Sequence, residues 1–399
     1  MSDPSPAAGR IRSIDALRGL VMILMALDHV RDFLHRGAMS QSPTDLATTT
    51  PILFMTRWVT HLCAPSFLFT AGLGAFFWWH GKRTRAQLSG FLASRGLWLI
   101  VLELTVMRVA YDFAITTRYP TLVLVLWILG AAMIVLAGLA WLPLWGIAAV
   151  SVAVIALHNT LDGVTAAQAG VPGWLWTILH QPGGFQVGSG LVIVGYPLLP
   201  WVAVMGLGFA FGPLFLRSAE ERRKPLLAIG WAMIATFVVL RAINGYGDPV
   251  PWTAQSSPVY TVLAFLNTNK YPASLSYLLM TLGPALLFLA WFDRLQLSRA
   301  NPLVVFGRAP LFYFVAHFYL AHAIGVLLAV VHHGSAALGF IFHRFPSMGG
   351  SAELFPTGFG YHLWVTYAGW IAVVLALYPA CRWVAAFKER RREWWVSYL

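Results

Sequence analysis

Ten apolar runs, each close to the length that crosses a bilayer, follow one another along the chain and limit what it can fold into. They cover about 14–34, 52–79, 91–113, 120–138, 142–157, 189–216, 226–243, 273–292, 303–330 and 360–385. Runs of this length predict membrane-spanning helices. We therefore predict an all-α fold, a polytopic transmembrane bundle of about ten helices, in which residues 1–399 form a single domain.

Composition agrees with a membrane protein and argues against other classes. Hydrophobic residues make up 58% of the chain, charged residues 11%, and the mean hydropathy is +0.69. A soluble domain carries about 25% charged residues. The net charge of +12 does not indicate nucleic-acid binding, because the basic residues fall in short clusters between apolar runs. Cys63 and Cys381 lie in different runs and have no disulfide or metal-site spacing. We predict no metal and no nucleic-acid partner.

Loop charges predict the orientation in the membrane. Threading the ten runs places most loop Lys and Arg residues on one side: Arg10, Arg12, Lys82, Arg83, Arg85, Arg217, Arg222, Arg223, Lys224, Arg294, Arg299, Lys388, Arg390, Arg391 and Arg392. The other side has Arg36, Arg118, Lys270 and Arg344. The positive-inside rule then predicts that both termini are cytoplasmic. Residues 1–12 are predicted to be a disordered N-terminus, and 387–399 a basic cytoplasmic tail.

The first run, within RIRSIDALRGLVMILMALDHVRDFLH (10–35), is interrupted by ionisable residues. Such residues are expensive in hydrocarbon and are therefore functional candidates by default. Ten residues separate Arg18 from His29, which corresponds to about 16 Å along a helix. Arg18 is then expected near the cytoplasmic face and His29 in the opposite half. We interpret His29 as the catalytic centre.

The second and third runs place further charges at the depth of His29. Arg57 and His61 are four residues apart and share a helix face. Arg108 and Asp112 fall in the outer part of the third run. An active site and a structural ion-pair network would both give this pattern, and the pattern alone leaves the two open.

Two other features have structural interpretations. Glycines recur in AGLGAFF (71–77) and MGLGFAFG (205–212), where we expect close helix packing rather than ligand binding. The connection at 158–188 has no Lys or Arg but contains Trp174 and Trp176, which favours an interfacial or lid-like loop.

Four motifs, in order along nearly the whole chain, resemble those of membrane acetyltransferases related to heparan-α-glucosaminide N-acetyltransferase and their bacterial relatives. The motifs are SIDALRGLVMILM (13–25), HLCAPSFLFTAG (61–72), NKYPASLSY (269–277) and GRAPLFYFVAH (307–317). The first run also resembles the membrane acyltransferase-3 group, in which an arginine and a histidine ten residues apart occupy the first helix. Arg18 and His29 match that pattern.

The resemblance implies transfer of an acetyl group from cytoplasmic acetyl-CoA to an amine or hydroxyl of an extracytoplasmic sugar or glycan. An imidazole can act as the base near neutral pH. We expect His29 to do so, with Asp32 a better placed partner than Asp28 because adjacent helical residues point about 100° apart. Alignment with the heparan-modifying enzymes instead favours His35 as the reactive histidine.

Further site residues are predicted by role. Asp28, Asp32 and His61 join the two histidines as catalytic candidates. The candidates for substrate or oxyanion binding are Arg57, Arg108, Asp112, Asn269, Lys270 and His317. Arg18, Arg95 and Arg308 lie at the cytoplasmic ends of their runs, where the phosphates of CoA could be bound.

Several alternatives remain open from the sequence. The imidazole could accept the proton directly or carry the acetyl group itself. A transporter or export component for an envelope lipid or glycan is the rival class, against which stand the missing inverted repeat and the ordered motifs. We expect a bacterial inner-membrane location and contact with bilayer lipid, and we leave a homo-oligomer open.

Overall fold

The structure is a computed structural model that describes residues 10–114, 119–391, 393 and 396. Most of the predicted disordered N-terminus, the predicted external cation Arg118 and much of the predicted basic tail, including Arg392, lie outside the described residues.

The described residues form a helical bundle with one small sheet, which confirms the all-α prediction. In chain order the helices are α1 Arg12–Leu34, α2 Pro51–Thr60, α3 Cys63–His80, α4 Arg85–Leu102, α5 Arg108–Asp112, α6 Val125–Leu139, α7 Leu144–Leu157, α8 Gly173–Leu179, α9 Leu198–Ala210, α10 Gly212–Leu216, α11 Ala219–Ile243, α12 Pro258–Leu266, α13 Leu275–Leu295, α14 Pro302–Arg308, α15 Pro310–His333 and α16 Leu363–Arg390. Side-chain caps begin several of them, as at Thr84 with Gln87 and at Ser218 with Glu221.

Eight helical segments in the described part of the chain are long and apolar enough to cross a membrane. They are Pro51–His80, Arg85–Asp112, Leu144–Leu161, Leu198–Leu216, Ala219–Ile243, Leu275–Leu295, Pro310–Phe340 and Leu363–Arg390. The two other predicted spans also contain helices. Helix α1 has 23 residues but carries several charges, and α6 is apolar but has only 15 residues. The protein is thus an integral membrane protein.

A three-stranded sheet, which the sequence did not predict, lies beside the bundle. Strands β1 (Thr121–Val123) and β3 (Gly190–Val194) are parallel, and β3 pairs antiparallel with β2 (Gly183–Val187). The predicted span boundaries at 120 and 189 are therefore wrong, because the residues just after them pair as strands before α6 and α9 begin. Short apolar runs do not by themselves distinguish strand from helix.

Helix α1 packs against α14, α15 and α16 on one side and against α3 and α13 on others. Its approach to α14 is unusually close. A Cβ atom on Gly19 would overlap the backbone of Leu303, and one on Gly307 would overlap the backbone of Asp15. The prediction for the glycines of 71–77 and 205–212 is confirmed in the same way, since Gly72 and Gly208 let the backbones of α3 and α9 meet.

Glu103 begins a π-helical turn, Glu103–Met107, between α4 and α5. Its buried carboxylate accepts hydrogen bonds from the backbone N–H groups of Leu126 and Trp127 at 2.8 and 3.2 Å and from the hydroxyl of Tyr111 at 2.8 Å. Because the first N–H groups of a helix lack partners within that helix, Glu103 caps the start of α6 from a neighbouring helix.

Candidate active site

A cavity of about 900 Å³ opens beside the C-terminal half of α1, and we call it the main cavity. Seven predicted site residues line it: Asp28, His29, Asp32, Arg57, His61, Asn269 and Lys270. They come from α1, from the α2–α3 junction and from the loop before α13. The fold thus brings together His29, Arg57 and His61, which the sequence placed at a common depth, whereas Arg108 and Asp112 of the same predicted group do not line this cavity.

Charged side chains on the cavity wall form a chain of alternating sign. Arg57 donates to Asp28, which also accepts from Arg31 at 3.0 Å. Arg31 donates to Asp32 at 2.7 Å, and Asp32 lies 3.5 Å from Nδ1 of His29. Residues three or four positions apart share a helix face. Helix α1 therefore places Asp28, His29, Arg31 and Asp32 side by side, and only Arg57 comes from another helix. Asp32 is thus a carboxylate within ion-pair distance of His29, although Nδ1 of His29 makes no hydrogen bond among the described residues.

Aromatic rings fix the position of His29 from α15. Its ring centroid is 4.0 Å from that of Phe318 and 5.2 Å from that of His317. His317 lies behind the cavity wall, fully buried, with Nδ1 2.8 Å from the carbonyl oxygen of Tyr313. A carbonyl only accepts, so Nδ1 carries the proton and Nε2 is left as an acceptor. His317 therefore supports His29 and does not itself line the cavity.

The α2–α3 junction places His61 on the wall. Pro65 has no N–H to donate to the carbonyl four residues earlier, which is that of His61, and the helix breaks there. The hydroxyl of Tyr277 donates to this carbonyl instead, at 2.9 Å. Nδ1 of the His61 ring is buried and has no hydrogen-bond partner among the described residues.

Three predicted residues lie away from the main cavity. His35 caps a short turn, where its Nδ1 accepts from the N–H of Gly37 at 3.1 Å. Burial, together with the nearby charges of Arg31 and Arg36, lowers the pKa of His35 to about 4. Asp112 forms a fully buried ion pair, at 3.3 Å, with Arg344 of the connection before α16.

The third of these residues, Arg108, donates to the hydroxyl of Thr121 at the start of β1. Arg344 also donates to the carbonyl of Pro120 at 2.5 Å, so it ties the α15–α16 connection to the strand. Three residues later, the hydroxyl of Ser347 donates to the carbonyl of Asp32 at 2.8 Å. This connection thus closes one side of the main cavity.

A second cavity, of about 280 Å³, lies toward the N-terminal end of α1. Its wall carries five cations, Arg10, Arg18, Arg95, Arg308 and Lys388, and we call it the basic pocket. It contains all three residues predicted for donor binding. Asp15 accepts two hydrogen bonds from Arg10, and Glu389 pairs with Arg308.

Gly74 lies next to the guanidinium of Arg18 on the wall of the basic pocket. A Cβ atom at this position would lie 3.2 Å from Nη2 of Arg18. That guanidinium also donates to the carbonyl of Thr70 at 2.6 Å. Arg18 is thereby held against α3 beside open space.

The two cavities share part of their walls. Phe67, Val125 and Phe314 line both. The shared wall lies between Arg18 and His29, which are about 16 Å apart along α1.

Sequence reasoning missed several residues of both walls. Arg31 joins Asp28 to Asp32, and its spacing from them could have indicated this. Arg10 and Lys388 were assigned only to orientation, and their approach to Arg18 depends on the tertiary fold. Tyr271 belongs to the NKYPASLSY motif but was given no role, and Tyr196, which also lines the main cavity, lies in none of the motifs.

Fold and site together define an integral membrane protein with a charged cavity and a basic pocket that meet inside the helical bundle. The family model described as "Heparan-alpha-glucosaminide N-acetyltransferase, catalytic" matches residues 10–241. This is more than half of the chain, and the protein belongs to that family, which confirms the predicted family and indicates a membrane acetyltransferase. The motifs at 13–25 and 61–72 lie within the matched segment, and those at 269–277 and 307–317 lie beyond it. A search of curated proteins gave no match. The matched segment holds His29, His35, Arg57 and His61.

Proposed function

We propose that the protein transfers an acetyl group from acetyl-CoA to an amine or hydroxyl of an extracytoplasmic sugar or glycan, in a bacterial inner membrane. The basic pocket binds the phosphates of the donor from the cytoplasmic side. The main cavity binds the acceptor, and His29 is the general base. Arg57 is a cation on the cavity wall that can stabilise negative charge on the reacting carbonyl oxygen.

The shared wall is the observation that carries this proposal. Guanidinium groups suit phosphates because they donate several hydrogen bonds in a planar fork. A donor with its phosphates at Arg18, Arg95 and Arg308 can extend its long pantetheine arm past Phe67 and Phe314 toward the main cavity. Two separate, distant cavities would not support transfer between the two sides of a membrane.

The chemistry at His29 balances as a simple exchange. The acceptor nitrogen or oxygen attacks the thioester carbonyl carbon, a C–N or C–O bond forms, and the C–S bond breaks. His29 takes the proton from the acceptor and returns it to the sulfur, so the products are the acetylated acceptor and free CoA thiol. Asp32, at 3.5 Å, stabilises the imidazolium formed in between.

Acetyl transfer from radiolabelled acetyl-CoA into envelope fractions tests the function, with His29→Ala and His35→Ala compared at matched membrane expression. General-base assistance is worth about 10²–10⁴-fold. We expect His29→Ala to lower turnover by that range and His35→Ala to cost much less. An inactive His35→Ala beside an active His29→Ala would show that the base is His35. A purified wild-type protein that neither exchanges nor hydrolyses acetyl-CoA would favour a carrier.

Donor binding has a separate test. Replacement of Arg18, Arg95 or Arg308 by Gln should raise the KM for acetyl-CoA more than it lowers saturated turnover. The reason is that these cations hold the phosphates equally well in the bound substrate and in the transition state. Arg294→Gln, which removes an exposed cation from the end of α13, is the matched control. An unchanged KM in all three variants would leave these arginines as structural anchors.

A further inference from the structure

Lys270 stands on the wall of the main cavity, in the loop between α12 and α13. Its ammonium nitrogen is 5.6 Å from the ring centroid of Tyr196 and 5.2 Å from that of Tyr271. The hydroxyl oxygens of these two tyrosines are 3.5 Å apart. One cation and two phenol hydroxyls therefore converge at one place on the wall, where each lines the cavity.

The carboxylates of the cavity are already engaged elsewhere. Asp28 and Asp32 are paired with the arginines of the charged chain. Asp248 accepts from the N–H of Asn269 at 2.9 Å and from the hydroxyl of Ser274 at 2.8 Å. In the described part of the chain, no carboxylate lies within ion-pair distance of Lys270.

The pKa of the Tyr271 phenol reflects the positive electrostatic potential beside Lys270. Partial burial on its own raises the pKa of a tyrosine, but the charges of Lys270 and Arg57 lower the pKa of Tyr271 below its ordinary value. The same charges favour any other anion that binds beside this ring.

The donor cannot supply this anion if its phosphates lie in the basic pocket. That pocket lies beyond the shared wall, at the other end of the about 16 Å that separates Arg18 from His29. The pantetheine arm that would extend into the main cavity is uncharged. Apart from the transient oxyanion of the reacting carbonyl, which the test below distinguishes, an anion bound at Lys270 therefore belongs to the acceptor.

We propose that the acceptor is an anionic sugar whose phosphate or carboxylate group binds Lys270 between Tyr196 and Tyr271. This inference rests on the proposed function and specifies its substrate class. Lys270 then determines specificity: its charge selects acidic acceptors, and the phenol hydroxyl that does not donate to its neighbour can donate a further hydrogen bond to the anion.

The test uses the purified full-length protein with radiolabelled acetyl-CoA and three soluble amino sugars. Glucosamine is the neutral-substituent reference, glucosamine 6-phosphate carries a phosphate, and muramic acid carries a carboxylate. Hydrogen bonds to charged groups are worth about 1.5–3 kcal/mol, so kcat/KM for an anionic sugar should exceed that for glucosamine roughly tenfold or more. The sugar that shows the gain identifies the anion.

Variants at Lys270 decide whether this residue is responsible. Lys270→Gln should bring the ratio of anionic to neutral kcat/KM close to one, mainly through KM, and Lys270→Arg should retain much of it. Lys224→Gln removes an exposed cation near the start of α11 and should leave the ratio unchanged. Size-exclusion profiles of all variants check that they fold alike.

Three results would overturn the inference. They are equal kcat/KM for charged and neutral sugars in the wild type, a ratio that survives Lys270→Gln, and an equal loss with every acceptor, which would assign Lys270 to the oxyanion. Failure of the proposed function looks different, since the wild type would then acetylate none of the sugars.

Discussion

At the scale of residues, the chain Arg57, Asp28, Arg31, Asp32 and His29 explains how a membrane protein holds so many charges in one place. Each arginine and aspartate has a neighbour of opposite sign, which offsets part of the cost of removing it from water. Loss of one of these four residues leaves an uncompensated charge, so single replacements among them affect stability as well as activity.

His35 gives a prediction about pH. Its pKa is about 4 in the folded protein and about 6.5 in an unfolded chain. Between these values the unfolded state binds more protons, so stability rises with pH across this window and falls as the pH drops from 6.5 to 4. A protonated Nδ1 also cannot accept from Gly37. We expect His35→Gln to reduce the loss of Tm over this range by on the order of a few degrees.

Thermal unfolding of the detergent-solubilised protein at pH 4.5 and 7 measures this difference. His332→Gln, at an exposed histidine, is the control and should follow the wild type. If His35→Gln loses as much stability on acidification as the wild type does, the titration of His35 does not contribute.

Some site residues could be predicted from the sequence because one helix determines their geometry. The pairing of His29 with Asp32 follows from positions three apart on α1. Arg344 had only been counted as a loop charge, and its buried pairing with Asp112 joins positions far apart in the chain. No local pattern signals a contact of that kind.

At the scale of elements, the contact between α1 and α14 sets the distance between Arg18 and the start of α15. We predict that Gly307→Ala destabilises the protein by about 1–3 kcal/mol, because the added methyl group meets the backbone of Asp15 and forces the helices apart. Denaturation of the purified protein measures the change.

Gly90→Ala is the matched control within α4, since nothing lies within 4 Å of the added Cβ atom. Alanine is the better helix former by about 1 kcal/mol, so this variant should be as stable as the wild type or more so. Equal stability of Gly307→Ala and the wild type would mean that the two helices separate without cost.

The helices could be predicted from the long apolar runs, because the length of such a run is enough to indicate a membrane-spanning helix. The strand Thr121–Val123 was not predictable, because the strand that it pairs with, Gly190–Val194, lies about 70 residues away. The capping of α6 by Glu103 was not predicted for the same reason, since the N–H groups of Leu126 and Trp127 lie 23 and 24 residues further along the chain.

At the scale of the whole molecule, the orientation in the membrane remains a prediction. Both native cysteines are buried, so single introduced cysteines can be labelled against a low background. A membrane-impermeant maleimide applied to intact cells should label Thr160→Cys, and it should label Arg223→Cys only after the membrane is permeabilised. Both positions are exposed.

Labelling of Arg223→Cys in intact cells would reverse the orientation. The basic pocket would then face away from the cytoplasm, and the proposed route of acetyl-CoA would be wrong. The positive-inside rule predicts the side from loop charges alone. The shared wall of the two cavities, in contrast, is formed by Phe67, Val125 and Phe314 on three different helices. The number of charges in the loops does not predict how these helices pack.

The wall shared by the two cavities has a further consequence, which concerns the leakage of protons across the membrane. In the proposed orientation the two cavities enter from opposite faces of the membrane and leave only a thin partition between the compartments. A cell that stores energy as a proton gradient cannot tolerate a continuous chain of water molecules there. Moving one charge through 100 mV releases about 2.3 kcal/mol, so even a slow leak would dissipate stored energy. The side chains of Phe67, Val125 and Phe314 offer no hydrogen bonds to water. In the proposed mechanism, the partition that lets an acyl arm pass must therefore also serve as a proton barrier.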